Sequence, residues 1–255
     1  MSYSSEKRRE DIISTIQLQG KIKVSELSEK YNVSEVSIRK DLEALEAEGH
    51  LSRIHGGAVG MNKLYINMDL TERFKTNANA KRDVAELAAK FIDDNDTIMM
   101  NAGTTISYVL RAISKKKNIN IVTNSIQNAT EAALYPSFNV ILLGGELDSK
   151  YQFTYGSDAI NQLSNYHATK CILSVDGISA DSGLTLYYSN EAELARKMTE
   201  SSDKTIVVAD SSKLGKNVFA KITDASKTDM FITNASDNHE ELSKLRDLGV
   251  KIFEI

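Results

Sequence analysis

The chain has almost none of the residues that cross-link or ligate. Its one cysteine, Cys171, lies in the apolar run CILSV, so no internal disulfide can form. A buried structural thiol is the expected role and a catalytic thiol the alternative. The four histidines, His50, His55, His167 and His239, are scattered, no Cys or His pair has metal-site spacing, and chain order supports no Ser-His-acid arrangement. Neither a metal nor a cofactor is expected. No apolar run approaches the ~18 residues needed to cross a bilayer, and the first residues, MSYSSEKRRED, are polar where a secretory signal would be hydrophobic. A cytoplasmic protein without membrane contact is expected. Repeats of fixed period and low-complexity segments are also missing.

A basic excess is lacking too. The net charge is −4 and the isoelectric point about 5.7, which argues against a general nucleic-acid coater. Even residues 1–57 hold nine Lys and Arg against ten Asp and Glu. Any DNA contact must therefore come from the distribution of charge, and from self-association to a dimer or tetramer whose heads add their contacts. What is present suits a soluble chain: 255 residues, 41% apolar and 26% charged, enough for one small and one larger domain.

Residues 24–59 read as a winged helix-turn-helix. Ser25 stands where an N-cap belongs, with Leu27 and Tyr31 four apart behind it on one face. Tyr31-Asn32-Val33 makes the turn, Ser34 can cap again, and Ile38, Leu42 and Leu45 repeat at the spacing of a buried stripe. With Ile38 as zero, Arg39, Val36 and Lys40 fall at roughly 100°, 160° and 200° and Ser37 near 260°, away from the core. Two cations, a hydroxyl and a small branched apolar group suit a major-groove reader; a helical hairpin with a solvated lysine face is the alternative. Gly49 ends the helix, and LSRIHGGAV alternates before a Gly56-Gly57 turn, which sets Arg53 and His55 on one side of a short wing. The DNA-contact set is Ser25, Val36, Ser37, Arg39, Lys40, Arg53 and His55. Before it, a helix over 5–18 carries Ile12, Ile13 and Ile16 and ends at Gly20. Its Lys7-Arg8-Arg9 is either a solvated helix start or a phosphate contact.

Three regions follow: a DNA-binding domain over 1–59, a linker over 60–76 with no clear period, and an α/β domain over 77–255. In the last, helices at 80–92, 105–113, 126–134, 190–201 and 239–248 alternate with strands at 97–101, 119–123, 139–143, 170–175, 205–209, 230–233 and 250–253. That order predicts a mostly parallel sheet.

Ligands of such sheets collect just after the strands. There the chain places Gly103-Thr104-Thr105 between a strand and a helix start, where hydroxyls and free amides can hold a phosphate, an ordinary capped connection being the alternative. The same edge should carry Asn124 and Ser125, Gly145, Asp176 and Gly177, and Lys213 in ADSSK, a lining that fits a phosphorylated polyol.

The run SIRKDLEALEAEGHLSRIHGGA resembles the signature of the DeoR family of bacterial transcription regulators, close to TIRRDLxxLexxGxLxRxHGGA. Ser37 replaces the usual Thr and Lys40 the second Arg, and Lys cannot reproduce a bidentate fork. From about residue 76, AGTT, IVTNS, LLGGE, DGI, GLT and ADSSK are similar to that family's sensor domain, itself like ribose-5-phosphate isomerase in fold. The resemblance implies a repressor of a sugar uptake or catabolic operon, relieved by a phosphorylated sugar. It also carries over the isomerase motif: Asp176-Gly177 matches, but the second aspartate falls on Ser179, the lysine near Tyr187 and the catalytic glutamate near Arg196. Binding without isomerase chemistry is expected. An isomerase-like enzyme with an appended DNA-binding head is the alternative, and a helix-turn-helix used only for protein association is a third reading.

Overall fold

The computed structural model describes residues 5–19, 21–47, 50–60 and 68–255, which fall into two compact units, Met1–Met68 and Asp69–Ile255. Gly20 and Gly49, the expected helix ends, and residues 61–67 of the expected linker lie outside the described residues.

The first unit is a winged helix-turn-helix. It runs α1 (Ser5–Gln19), β1 (Lys21–Lys23), α2 (Val24–Tyr31), α3 (Glu35–Ala47), β2 (Leu51–Ile54) and β3 (Gly57–Gly60). The apolar stripes meet as their periods require: Ile12 and Ile16, Leu27 and Tyr31, and Ile38, Leu42 and Leu45 form one buried cluster, roofed by Ile22, Leu51 and Ala58 from the wing. Asn32 ends α2 in the left-handed region at φ 51°, and the Ser28 hydroxyl donates to the Val33 carbonyl at 2.6 Å, closing the turn between α2 and α3. In the wing β3 lies between β1 and β2, antiparallel to both. The reversal is at His55-Gly56, not at Gly56-Gly57, because Gly57 already pairs with Ile54 and Lys23.

The second unit opens with α4 (Leu70–Lys75), which corrects the linker expectation over that stretch. Asp69 Oδ1 accepts from the Glu72 amide at 2.8 Å and Glu72 Oε2 from the Asp69 amide at 3.0 Å, a reciprocal cap that starts a helix too short to show a period. Next come α5 (Ala78–Ala88), β4 (Thr97–Met100), α6 (Thr104–Ala112), β5 (Ile119–Thr123), α7 (Ile126–Ala132), β6 (Phe138–Leu142), the hairpin β7 (Glu146–Asp148) and β8 (Phe153–Tyr155), and α8 (Ser157–Leu163). They continue with β9 (Lys170–Leu173), β10 (Gly177–Ser179), β11 (Gly183–Leu186), α9 (Ser189–Glu200), β12 (Thr205–Val208), β13 (Ala220–Thr223), β14 (Met230–Thr233), α10 (His239–Asp247) and β15 (Lys251–Glu254).

Seven strands form one parallel sheet in the order β15-β14-β12-β9-β4-β5-β6. Its middle strands read TIMM, KCIL, TIVV and MFIT, near-continuous apolar runs that suit burial on both faces. Alternate residues enter opposite layers: Met99, Cys171, Val207 and Phe231 in one cluster, Ile98, Ile172, Ile206 and Ile232 in the other. The chain first builds outward through β5 and β6, then returns to the other side of β4 with β9. The strand order therefore reverses between β4 and β9, where the loops diverge and open a crevice. A small antiparallel sheet, β10-β11-β13, follows β9. That sheet, the β7-β8 hairpin and α8 were absent from the sequence reading.

Candidate functional site

On α3 the outward face is as its period requires. Val36 is 60% exposed, Arg39 and Lys40 are exposed and Ser37 is half-buried. Ser34 caps the helix, its hydroxyl accepting from the Ser37 amide at 3.2 Å. Arg39 Nη2 donates to Glu35 Oε2 one turn back at 2.6 Å, and in the wing the Arg53 amide and Nε each donate to Glu46 at 2.7 Å. His55 is exposed in the reversal. Ser25 does not cap α2: the cap position is Lys23, without a side-chain bond, because β1 runs directly into the helix and the Val24 amide is taken by the Gly56 carbonyl at 2.9 Å. Arg8 is not available to DNA either, since its Nε is buried against Asp41 at 2.6 Å, with Arg9 3.2 Å from the same carboxylate.

In the second unit the predicted residues converge at the carboxyl edge of the sheet. Asn101, directly after β4, clasps the end of β9: its Nδ2 donates to the Ser174 carbonyl and its Oδ1 accepts from the Ser174 amide, both at 2.9 Å. Gly103 must be glycine, because a Cβ there would lie 2.6 Å from Ser174 Cβ. It occupies the cap position of α6 without a side-chain bond. Thr104 and Thr105 are the first two helical residues, 5% and 3% exposed, and among the described residues neither hydroxyl has a hydrogen-bond partner. Thr105 is therefore not a helix cap. Beside them Ser125 Oγ accepts from the Asn128 amide at 3.2 Å, capping α7. Asn124 Nδ2 donates to the Thr154 carbonyl at 3.0 Å while its buried Oδ1 has no partner among the described residues. A small pocket lined by Gly103, Thr104, Ser125 and Tyr151 is closed by Leu70 and Phe74 of α4.

Next to this loop lies a buried charged cluster that the sequence reading caught only in part. Lys213 is buried, with Asp176 and Asp210 opposing the loss of its charge and Arg73 promoting it. Lys81 Nζ donates to the Arg73 carbonyl at 2.5 Å, and burial lowers its pKa to about 8 against the pull of Asp210. Burial likewise lowers Lys216 to about 8. For Asp210, burial favours the neutral form but is outweighed by Lys213, the Ser212 amide, Lys81 and Asn77, so its pKa falls. Glu191, in the first turn of α9, goes the other way: burial, then Asp176, raise it to about 8. Arg73 spans this space from α4, its guanidinium 4.4 Å from the centre of the Tyr151 ring. Lys81 and Glu191 escaped notice because each lies on a helix face that reads as solvated, and Arg73 because it falls in the stretch that reads as a linker.

Two expectations are relocated. Gly145 packs against the hairpin, where a Cβ would lie 2.4 Å from the Tyr155 carbonyl oxygen and 3.4 Å from Ala159. Gly177 begins β10, its carbonyl accepting from the Thr185 hydroxyl at 3.3 Å. Arg196, placed by motif counting at a catalytic position, instead donates from Nε to the Ile222 carbonyl at 2.7 Å and from Nη2 to the Lys221 carbonyl at 2.6 Å. It lines a separate cavity of about 650 Å³ at the opposite, amino-terminal edge, where Lys221 pairs with Asp224. Ser179 Oγ accepts from the Ser182 amide at 3.1 Å and caps the β10-β11 turn. Cys171 is buried, and the resulting rise in its pKa keeps the thiol protonated and inert.

A winged helix-turn-helix head followed by an α/β unit with a charged crevice at its switch point defines a class, the two-domain transcription regulators. The chain belongs to the DeoR family: the DeoR-like helix-turn-helix domain matches residues 8–63 and the DeoR C terminal sensor domain residues 76–235. It is 34% identical over 245 residues to the uncharacterized HTH-type transcriptional regulator YulB of Bacillus subtilis, covering 96% of this chain and 95% of that one. It is 29% identical to the glycerol-3-phosphate regulon repressor of Escherichia coli K12, covering 96% and 97%. Ribose 5-phosphate isomerase A of Neisseria gonorrhoeae aligns at 23% identity over 52% of each chain with a TM-score of 0.40, a likeness too distant to bear on activity. Among the described residues no helix is long and apolar enough to cross a membrane, and no group of three or more His, Cys, Asp or Glu could hold a metal ion.

Proposed function

We propose that the chain is a cytoplasmic repressor of an operon for sugar uptake or catabolism, and that a phosphorylated sugar in the switch-point crevice relieves it. The observation that carries this reading is the pair Thr104 and Thr105, nearly buried residues whose hydroxyls make no hydrogen bond among the described residues, at a helix start with free amides. Lys213, Lys81, Lys216 and Arg73 are four cations against Asp176 and Asp210, and with Glu191 holding its proton a dianion would neutralise the surplus of two. Asn124 offers an open acceptor to a sugar hydroxyl. A relative whose name couples repression to glycerol 3-phosphate supports a phosphorylated polyol. Gly145 is dropped from the ligand set, and Gly177 serves through its backbone.

On DNA, Arg39 and Lys40 enter the major groove with Val36 against a thymine methyl. Ser37, Ser25 and the wing residues Arg53 and His55 take phosphates or the minor groove. Arg39 must leave Glu35 and Arg53 must leave Glu46, at small cost because such exposed pairs contribute about 0–1 kcal/mol. Two or four copies add their contacts.

A thermal-shift screen against pentose and hexose phosphates and their unphosphorylated sugars tests the sensor. A phosphate ester at about 100 times its dissociation constant should stabilise by about 2.7 kcal/mol; equal response to the bare sugars rejects the assignment. Salt-dependent binding to duplex DNA separates the reader from a protein-association module.

One observation favours the enzyme alternative: the carboxyl of Glu191 stands beside Asp176 where Arg196 was expected to leave none. A carboxyl that keeps its proton at pH 7 is a poor base, however. Proton exchange at the sugar's second carbon, abolished by Asp176→Asn, would establish the enzyme instead.

A further inference from the structure

Glu191 makes no ligand contact in the reading above. It is 7% exposed, at the third residue of α9, and among the described residues its carboxyl accepts and donates no hydrogen bond. A helix start ordinarily suits a carboxylate, because free amides point at it. Here burial and a neighbouring acid prevail. The groups that face it come from three elements: Asp176 after β9, Arg73 on α4 and Asp148 at the end of β7. Arg73 also faces Lys213 and Lys81. Asp176 Oδ2 accepts from the Tyr187 amide at 3.1 Å and the Tyr188 ring lies 5.0 Å from that of Tyr151, so the start of α9, and Glu191 with it, borders the crevice.

A buried polar group left without a partner is costly. In a ligand site that cost becomes selectivity, because a ligand that satisfies the group binds and one that leaves it unpaired does not. What would satisfy Glu191 depends on its proton. An ionised carboxylate would seek an ammonium or a hydroxyl hydrogen; a protonated one offers a hydrogen to an oxygen. Two acids in one buried space share the second situation, in which one keeps its proton.

Resting on the sugar-phosphate reading, we propose that Glu191 is the specificity-determining residue of the crevice, a hydrogen-bond donor to an uncharged oxygen of the sugar, while the threonine loop and the cations hold the phosphate. The site then discriminates by an acceptor oxygen at one sugar position and rejects an amino group there, which would present a charge to Arg73. Inorganic phosphate, having no such oxygen, is blind to Glu191.

The test compares the full-length wild type, Glu191→Gln and Glu191→Ala by calorimetric titration with glucose 6-phosphate, fructose 6-phosphate, fructose 1-phosphate, glucosamine 6-phosphate and inorganic phosphate. Glutamine keeps a donor and has no proton to lose. The sugar phosphate that binds wild type best should bind Glu191→Gln within about threefold and Glu191→Ala at least about tenfold more weakly, with inorganic phosphate alike in all three. Between pH 7 and pH 9 Lys81 and Lys216 lose charge in every protein, so affinity falls throughout; wild type should lose about tenfold more than Glu191→Gln. An infrared carboxylic-acid band at pH 7, present in wild type and missing from Glu191→Gln, reads the proton directly. Glu191→Ala binding like wild type, Glu191→Gln failing like alanine, or a missing acid band each overturns the role of Glu191 alone. A wild type that binds none of the esters overturns the sugar-phosphate reading itself.

Discussion

Arg8 and Asp41 meet at 2.6 Å across the head, thirty-three positions apart in sequence, with side chains only 9% and 3% exposed. The contact ties α1 to α3 and thereby fixes the helix that carries Arg39 and Lys40. Removing one member of a buried pair leaves the other charge stranded, which costs about 3–5 kcal/mol. Asp41→Ala should therefore collapse the hydrogen-exchange protection of α3 amides while leaving the sheet of the second unit protected. Unaltered α3 protection would mean that the pair contributes nothing net.

The head was legible because its signals are local. Stripes at helical spacing, a turn at Asn32 and alternation in the wing each decide structure within a few residues. The burial of Arg8 was not legible, since a basic tripeptide at a helix start looks solvated until a partner from another helix arrives. The seven core strands were likewise visible as apolar runs, whereas β7, β8 and β10 are three residues long and carry no period. At the site, the loop residues Thr104, Asn124, Asp176 and Lys213 could be found because strand ends mark them. Glu191 and Lys81 could not, being placed by the packing of α9 and α5 over the edge. Counting along the isomerase motif put Arg196 in the crevice; the structure shows it on the far edge, one and a half turns of α9 beyond Glu191.

The reading face predicts a contrast in DNA binding. Arg39→Ala should weaken operator binding by about 1–3 kcal/mol and random duplex much less, because a groove contact to a base edge carries sequence information. Glu35→Gln should strengthen binding to both, since it frees Arg39 from its ion pair and removes a negative charge from the start of α3. Equal losses on operator and random DNA for Arg39→Ala would make it a phosphate contact.

Glu191 also makes a prediction about stability. Its pKa rises from 4.5 in an unperturbed chain to about 8 when folded, so between those values the folded state holds a proton that the unfolded state has lost. Stability through this group is then full below pH 4.5 and declines as pH rises toward 8, by about 1.4 kcal/mol per unit. Glu191→Gln should exceed wild type by up to about 3 kcal/mol at pH 7, and the difference should vanish near pH 4.5. Lys81 acts in a separate window: its pKa is lowered from 10.5 to about 8, so its contribution rises with pH only above 8. Urea denaturation of both proteins at several pH values decides; a constant difference would show that Glu191 titrates normally.

The last prediction concerns how the sensor and the head communicate. A ligand can shift the head only by binding one arrangement of the chain better than another, and operator DNA must then change ligand affinity by the same factor. A coupling of about 1–3 kcal/mol is typical. The clean perturbation is Thr105→Ala. Gly103, not Thr105, holds the cap position of α6, and the Thr105 hydroxyl bonds to nothing among the described residues, so its loss removes no hydrogen bond, though the buried methyl goes with it. Stability should fall by about 1 kcal/mol for the buried methyl, and operator affinity without ligand should be unchanged. The response to the sugar phosphate should weaken, because a direct phosphate contact has been removed at the helix start. Operator affinity is measured for both proteins across a range of sugar-phosphate concentrations at one fixed salt, since the phosphate-backbone term would otherwise mask the effect. A Thr105→Ala chain that responds at wild-type concentrations removes Thr105 from the ligand set. A wild type whose operator affinity ignores every sugar phosphate, while the same esters still bind in calorimetry, would leave a sensor domain that binds without signalling.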